Sequence, residues 1–377
     1  MEKKKISVVI PYANRIQNLT YVLKSLSEQT LNKNDFEIVV GCLEASEELA
    51  KLINDEYSTM NIIVVMSIQP WNTAKARNIA LSVCTGEYIV FVDADMVLPQ
   101  KSLELFLTEH MSDDRVKLIL GQAKSYDEWD DREHVQHLPY DEYREKFLMK
   151  DECDELPRDR RLETEICIPW AMCWTGFISI PRQAIFEHDL FFDHNFKGWG
   201  VEDIEWGYRV QQAGIATVLP EHIWSIHLPH ERDAEKNHEY EQKNFKSFLK
   251  KSPCFEVEVV ARFGDFNGNS RIKELKAELN ASNYSEEDPL YVIEETLENS
   301  RNLYIGARID NGIVSNLEEF GNVPSIQIDK SIPLLGISLP YNESEFDNVY
   351  ISRNIQTFTQ TIQDLIIEES ERVVINN

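Results

Sequence analysis

The sequence predicts an α/β fold with a mainly parallel central sheet, and three observations lead there. Short β-branched runs alternate with segments whose apolar residues recur at helical spacing. The runs are apolar almost throughout, as strands covered on both faces are. The last of them ends in Asp93-Ala94-Asp95, two carboxylates one residue apart at a strand terminus.

The elements follow in order. Ile6–Ile10 is a strand ended by Pro11, and Leu19–Leu26 is a helix. Phe36–Val40 and Ile62–Met66 repeat the strand signal, and Leu43–Ile53 and Ala74–Val83 repeat the helix. Tyr88–Asp93 closes the series. This βαβαβαβ order implies crossover helices on both faces and right-handed connections.

Composition narrows the function classes. The 377 residues suffice for two domains with a real core. A formal net charge of -27 argues against DNA or RNA as a general partner, because phosphate binding needs basic surface. Neither a membrane-spanning run nor a secretion signal is expected, although Lys3–Lys5 form a small basic tip that leaves peripheral membrane contact open. The six scattered cysteines form no C-x-x-C pair and fit free thiols in a reducing cytoplasm. No Gly-rich phosphate loop of the G-x-G-x-x-G or G-x-x-x-x-G-K type follows the first strand, which disfavours a nicotinamide enzyme or a P-loop ATPase.

Side chains at i and i+2 of a strand share a face, so Asp93 and Asp95 emerge together at the carboxyl end, where open α/β sheets bind ligands. Such a pair either holds a hydrated Mg2+ or Mn2+ with positions open for a diphosphate, or is a solvated strand end. Three stretches, Ser7–Arg15, Asn72–Asn78 and Thr85–Asp95, resemble a family 2 glycosyltransferase of the GT-A fold. The resemblance implies that Pro11 and Arg15 lie near the nucleotide and Arg77 beside the base or diphosphate, the alternative for Arg77 being an ion pair that caps the sheet edge. It further implies Asp93 at the ribose or base and Asp95 on the metal. An arginine offers a diphosphate a planar fork of donors, and a metal neutralises the leaving phosphate. This chain departs from the family after its second strand, where Gly41–Ser46 replaces the usual acidic, Ser-rich turn and leaves Glu44 as a weak substitute for the base contact.

Phe196–Arg209 is dense in Gly, Trp and acid. Glycines on both sides of Trp199 let the backbone turn the indole outward, where its flat face suits a sugar ring. Glu202 and Asp203 open a helix whose dipole favours anionic side chains. The alternative is a core tryptophan followed by ordinary capping acids. The string resembles the acceptor-side motif of galactosyltransferases, polypeptide N-acetylgalactosaminyltransferases and chondroitin-polymerising enzymes. That resemblance makes Asp203 the catalytic base of an inverting transfer, Glu202 its supporting or acceptor-orienting neighbour, and Trp199 and Gly200 acceptor residues.

Downstream, a short strand at Ala216–Leu219 leads to Trp224–His230. Histidines at i and i+3 beyond a strand can complete a cation site, and the resemblance supplies a histidine as third metal ligand. His227, which ends the apolar run, is preferred; His230 remains open. His134 and His137 lie in a charged stretch and read as solvated. Asp127–Glu165, with Trp129, Tyr140 and Tyr143, is either a cover for the acceptor or a solvated excursion, partly helical at Tyr140–Met149. Trp170–Ile180 is expected to be strand-like. By resemblance its Trp170, Trp174 and Gly176 line the donor sugar, while the core-aromatic reading stays open for both tryptophans.

Residues 1–252 are therefore expected to form the transferase domain and 253–377 an accessory α/β unit. Strands are expected at Glu256–Val260, Leu303–Ala307, Ser325–Ile328 and Asn348–Ile351, with a helix from Thr357 to Glu369. Their order weakly resembles a class I methyltransferase core, but Ala307–Asn311 lacks the glycines that admit that cofactor. The unit reads as a degenerate or truncated Rossmann-like module for docking or acceptor binding. The whole chain reads as a metal-dependent, inverting transferase moving a hexose or N-acetylhexosamine from a UDP-sugar to a carbohydrate or glycoconjugate hydroxyl. A silent carbohydrate-binding or scaffold protein, a nucleotidyltransferase and, on the C-terminal unit alone, a methyltransferase are the alternatives.

Overall fold

The computed structural model describes residues 4–125, 138–150, 154–231, 233–282, 284–285 and 288–375. The chain divides into two compact units, residues 1–165 with 172–240, and residues 166–171 with 241–377.

The first unit runs β1 (Ile6–Tyr12), α1 (Ile16–Ser27), β2 (Phe36–Cys42), α2 (Glu47–Glu56), β3 (Ile62–Met66), α3 (Thr73–Leu81) and β4 (Tyr88–Val92). It continues through β5 (Met96–Val97), α4 (Ser102–His110), β6 (Lys117–Leu120), β7 (Gln122–Lys124), α5 (Tyr140–Tyr143), β8 (Phe177–Pro181) and α6 (Arg182–Glu187). α7 (Glu202–Gln212), β9 (Ala216–Val218) and β10 (Trp224–His227) follow. The main sheet has the order β3-β2-β1-β4-β8-β6-β9. β3, β2, β1 and β4 are mutually parallel, and β8 runs antiparallel to both neighbours. This is the expected mixed α/β architecture. Every residue of β1 and β2 is buried, which accounts for their almost wholly apolar runs, and the two polar residues within them, Ser7 and Glu37, bond each other at 2.6 Å. β3, at the edge, is only half-buried.

Three local expectations change. β1 does not stop at Pro11 but continues to Tyr12. Beyond Val9 it keeps only β2 as a partner, so Pro11 sits where the strand is an edge, the position that tolerates a residue without an N–H. The Trp170–Ile180 stretch begins as a 3-10 turn at Pro169–Met172 and becomes a strand only at Phe177. Of the charged excursion, Tyr140 and Tyr143 are buried edge-on against Tyr21 of α1, with centroids 5.6 and 6.3 Å away, so this part anchors to the transferase core. Trp129, His134 and His137 lie outside the described residues.

α8 (Ala234–Lys251) carries the division at Tyr240, and the expected boundary after residue 252 falls just beyond its end. α9 (Phe255–Phe263), α10 (Asp265–Ala281), β11 (Tyr291–Leu297), β12 (Ser300–Ala307), β13 (Ile309–Asp310), β14 (Ile313–Val314), β15 (Lys330–Ile332), β16 (Asn348–Ile351) and α11 (Gln360–Val373) follow. Glu256–Val260 is thus helix, not strand. Its alternating Glu and Val mimic a strand, but tertiary burial decides. Val257, Val259 and Val260 are all enclosed, and the buried Glu258 carboxylate accepts N–H bonds from Leu335, Gly336 and Ile337. No strand forms at Ser325–Ile328.

The sheet of this unit, β15-β11-β12-β16, also departs from a Rossmann-like order. β11 and β12 form an antiparallel hairpin through Glu298 and Asn299, both at positive φ (49° and 70°), as a two-residue turn of that kind requires. β12 and β16 are its one parallel pair among the described residues. Near the end of β12, Asn316 and Asn354 donate their amides to the Gly306 carbonyl at 3.1 and 3.3 Å.

Candidate active site

The site lies at the carboxyl ends of β1, β4 and β10, and each side chain is placed by backbone pairing. β5, starting one residue after Asp95, runs antiparallel to β10 with Met96 opposite His227. Leu228 N–H donates to the Asp95 carbonyl at 2.7 Å. This ladder sets the buried Asp95 carboxylate beside His227, and the turn through Pro229 returns His230 to the same carboxylate. Nε2 of His230 is 3.3 Å from Asp95 Oδ2, and Nε2 of His227 is 3.9 Å from Oδ1. One ligand atom from each of the three residues falls within 4.8 Å of the others. The structure thus brings both histidines to Asp95, and His230 stands closer than the preferred His227. A carboxylate oxygen and two imidazole nitrogens suit Mn2+, a cation that accepts both ligand types, so these residues fit the implied metal. Arg15, just past β1, donates from Nη1 to Asp95 Oδ2 at 2.6 Å. Sequence reasoning missed this pairing, because nothing in the spacing of positions 15 and 95 announces it.

Arg77 is the second organising group. α3 lies directly on β2, where a Cβ at Gly41 would stand 2.0 Å from the Ala76 carbonyl oxygen. That close approach seats Arg77 in a buried position. Its guanidinium donates to Asp93 Oδ1 at 2.9 Å and to Glu202 Oε1 at 3.1 Å, and lies 5.1 Å from the Phe192 ring centroid. The Arg77 Nε has no hydrogen-bond partner among the described residues. Asp93 N–H bonds the Gly176 carbonyl at 2.9 Å, and a Cβ on Gly176 would lie 3.4 Å from Asp93 Oδ2. Gly176 therefore adjoins the carboxylate.

Trp199 is 46% exposed between Gly198 (φ 70°) and Gly200 (φ 84°), both in the left-handed region that glycine reaches without penalty. The bare Gly198 also admits the Tyr240 ring, which a Cβ would meet at 2.2 Å. Val201 follows at φ 73°, a strained conformation for a β-branched residue. α7 then starts with Glu202 and Asp203 and is pinned by Trp206, whose indole N–H bonds the Leu190 carbonyl and whose ring stacks on Phe192 at 5.0 Å. Burial, then the adjacent Glu202 charge, push the Asp203 carboxyl up to about 8, against the lowering pull of Arg77. A carboxyl with its proton affinity raised in this way is suited to accept a proton near neutrality.

The other expected residues fall as follows. Pro11 is buried at the end of β1 opposite Gly41. Glu44 is exposed just past β2, where its charge adds to the burial that pushes the Cys42 thiol up to about 12. Trp170 is held by other partners. It belongs to the second unit, fully buried, with its indole N–H on Glu256 and its ring against Phe248, which is the core-aromatic role. Trp174 stays in the first unit, partly exposed, with the Arg161 guanidinium 4.4 Å from its ring. Cys42, Cys84, Cys167, Cys173 and Cys254 are free thiols. No described helix is long and apolar enough to cross a membrane.

Comparison with known proteins bears on the family and the fold. The profile of glycosyl transferase family 2 matches residues 7–180. The chain is 28% identical over 265 residues, 67% of its length, to validoxylamine A glucosyltransferases of two Streptomyces hygroscopicus subspecies, jinggangensis and limoneus. The match spans 62% and 58% of those relatives' own lengths. Chondroitin synthase of Escherichia coli is 24% identical over 231 residues, covering 55% of this chain and 32% of that protein. In fold, a mannosyltransferase from Pyrobaculum calidifontis, solved with GDP-Man and Mn2+, superposes with a TM-score of 0.50 at 13% identity, covering 76% of this chain and 78% of the other. The mainly parallel sheet is thus that of a GT-A fold, and residues 7–180 form a glycosyl transferase family 2 domain.

Proposed function

We propose that this chain is a metal-dependent, inverting glycosyltransferase that moves a hexose or N-acetylhexosamine from UDP to a hydroxyl of a carbohydrate or glycoconjugate. The observation that carries the reading is Arg77, which holds Asp93 of the strand-end pair and Glu202 of the acceptor-side pair in one buried fork. The donor and acceptor halves of the site are thereby joined through a single side chain. Relatives named as glucosyl and chondroitin-forming enzymes favour a hexose or N-acetylhexosamine donor.

Asp95, His227 and His230 would hold the cation, which when bound neutralises charge gathering on the departing diphosphate. Asp93 and Arg77 orient the nucleotide, with Pro11 at the end of β1, Arg15 and Glu44 just past β1 and β2, and Gly176 leaving room beside Asp93. Trp199 and Gly200 present the acceptor. Asp203 takes the proton of the acceptor hydroxyl while that oxygen bonds the anomeric carbon from the face opposite UDP. The bond from the anomeric carbon to the diphosphate breaks, UDP leaves with the electron pair, and the configuration inverts.

The test is UDP release from a panel of UDP-sugars, with and without Mn2+, by wild type and Asp95→Ala. We expect release from one donor that needs the cation and falls at least about 100-fold in the variant. Equal release by the variant, or none by wild type from any UDP-sugar, would overturn the assignment.

A further inference from the structure

We propose that Asn72 is a positioning residue, the fastener by which the helix carrying Arg77 sets the acceptor loop; the inference rests on the transferase reading above. The side chain is 4% exposed, and both ends of its amide are engaged. Oδ1 accepts the Lys75 N–H at 2.9 Å and so caps α3. Nδ2 donates to the Phe196 carbonyl at 2.7 Å and stands 3.4 Å from the His194 carbonyl. Farther along the helix, Asn78 makes a two-way bond with Phe192, donating to its carbonyl at 2.7 Å and accepting its N–H at 2.9 Å. Arg77 adds the bond to Glu202.

One helix therefore grips the chain before, at the start of, and after the Lys197–Val201 loop that displays Trp199. That loop needs the grip. Three of its residues, Gly198, Gly200 and Val201, are at positive φ, and such backbone persists where its surroundings over-determine it. Asn72 also serves a need that no other capping residue meets. Ser, Asp and Asn all cap well. A serine is too short to reach Phe196 while capping, and an aspartate would set a carboxylate against two carbonyl oxygens. Asn alone of the three accepts at the helix and donates across to the loop.

Asn72→Asp and Asn72→Ser thus keep the cap and remove the fastener. In both we expect the donor KM and the cation-dependent hydrolysis of the UDP-sugar to stay within about twofold of wild type. The acceptor KM should rise and the transfer kcat fall by about 10-fold or more, the cost of a modest misplacement of the attacking group. Trypsin should cut faster after the exposed Lys197, read by mass. Unchanged acceptor kinetics would overturn the proposal, as would donor KM and hydrolysis failing in step with transfer, or loss of folding in both variants. If wild type hydrolyses no nucleotide sugar, the transferase reading fails by itself. The trypsin rate at Lys197 then decides alone, faster cleavage supporting the fastener and an unchanged rate overturning it.

Discussion

Asp203 places stability and activity in opposition. Its carboxyl is pushed above the ordinary range by burial and by Glu202, so between the unfolded value near 4 and about 8 the folded chain holds a proton that the unfolded chain has released. The stability this group contributes is fully present below the unfolded value and is lost as pH rises through the folded one. Asp203→Asn removes the charge without changing the shape. It should therefore melt above wild type at pH 8.5, and the gap should narrow as pH falls towards 4. Transfer should drop by roughly 10^2 to 10^4 while UDP binding is retained, as for loss of a general base. Thermal denaturation across that pH range, beside transfer assays, checks both halves. An Asn variant that melts below wild type at pH 8.5 would show that Asp203 is a stabilised structural carboxylate.

At the scale of elements, the Lys197–Val201 loop is held by a glycine that does two jobs. A Cβ at Gly198 would be forced to φ 70° and would collide with Tyr240, so Gly198→Ala should lower the unfolding free energy by about 1–3 kcal/mol and displace Trp199. Adding Tyr240→Ala should recover the steric part alone, a partition that denaturant melts of the single and double variants will read. Equal stability of Gly198→Ala and wild type would mean that the loop relaxes freely. The same elements show what was legible in the sequence. The alternation from β1 to β4 could be read because each strand is largely apolar and rich in β-branched residues, whether buried on both faces as β1 and β2 are or half-buried at the edge as β3 is. The pairing of Glu202 with Arg77, far apart in sequence, could not, since it depends on α3 closing on Gly41. Nor could the engagement of Asn72 with Phe196, which in sequence looks like an ordinary helix cap. In the second unit, the Glu-Val alternation of α9 gave a false strand because period-two patterning persists in a helix buried nearly all round.

For the whole molecule, the question is whether a divalent cation binds at one place or is merely drawn to a chain of net charge -27. Both would raise the melting temperature in Mn2+, but by different physics. General attraction to the acidic surface is screened over about 8 Å at physiological salt and fades as NaCl is added. Coordination by the buried Asp95 with His227 and His230 acts at contact distance and survives it. Ligand held only by the folded state stabilises by about 2.7 kcal/mol at 100 times its Kd, on the order of 5–11 °C for a domain of this size. We therefore expect a Mn2+-dependent rise of that size in 300 mM NaCl, enlarged by UDP and absent in Asp95→Ala. The two units can melt separately, so the shift should be sought in the transition that UDP also moves. A rise that vanishes with salt, or that Asp95→Ala retains, would assign the cation to the diffuse field of the acidic surface and leave Asp95 as a partner of Arg15 and the two histidines without a metal.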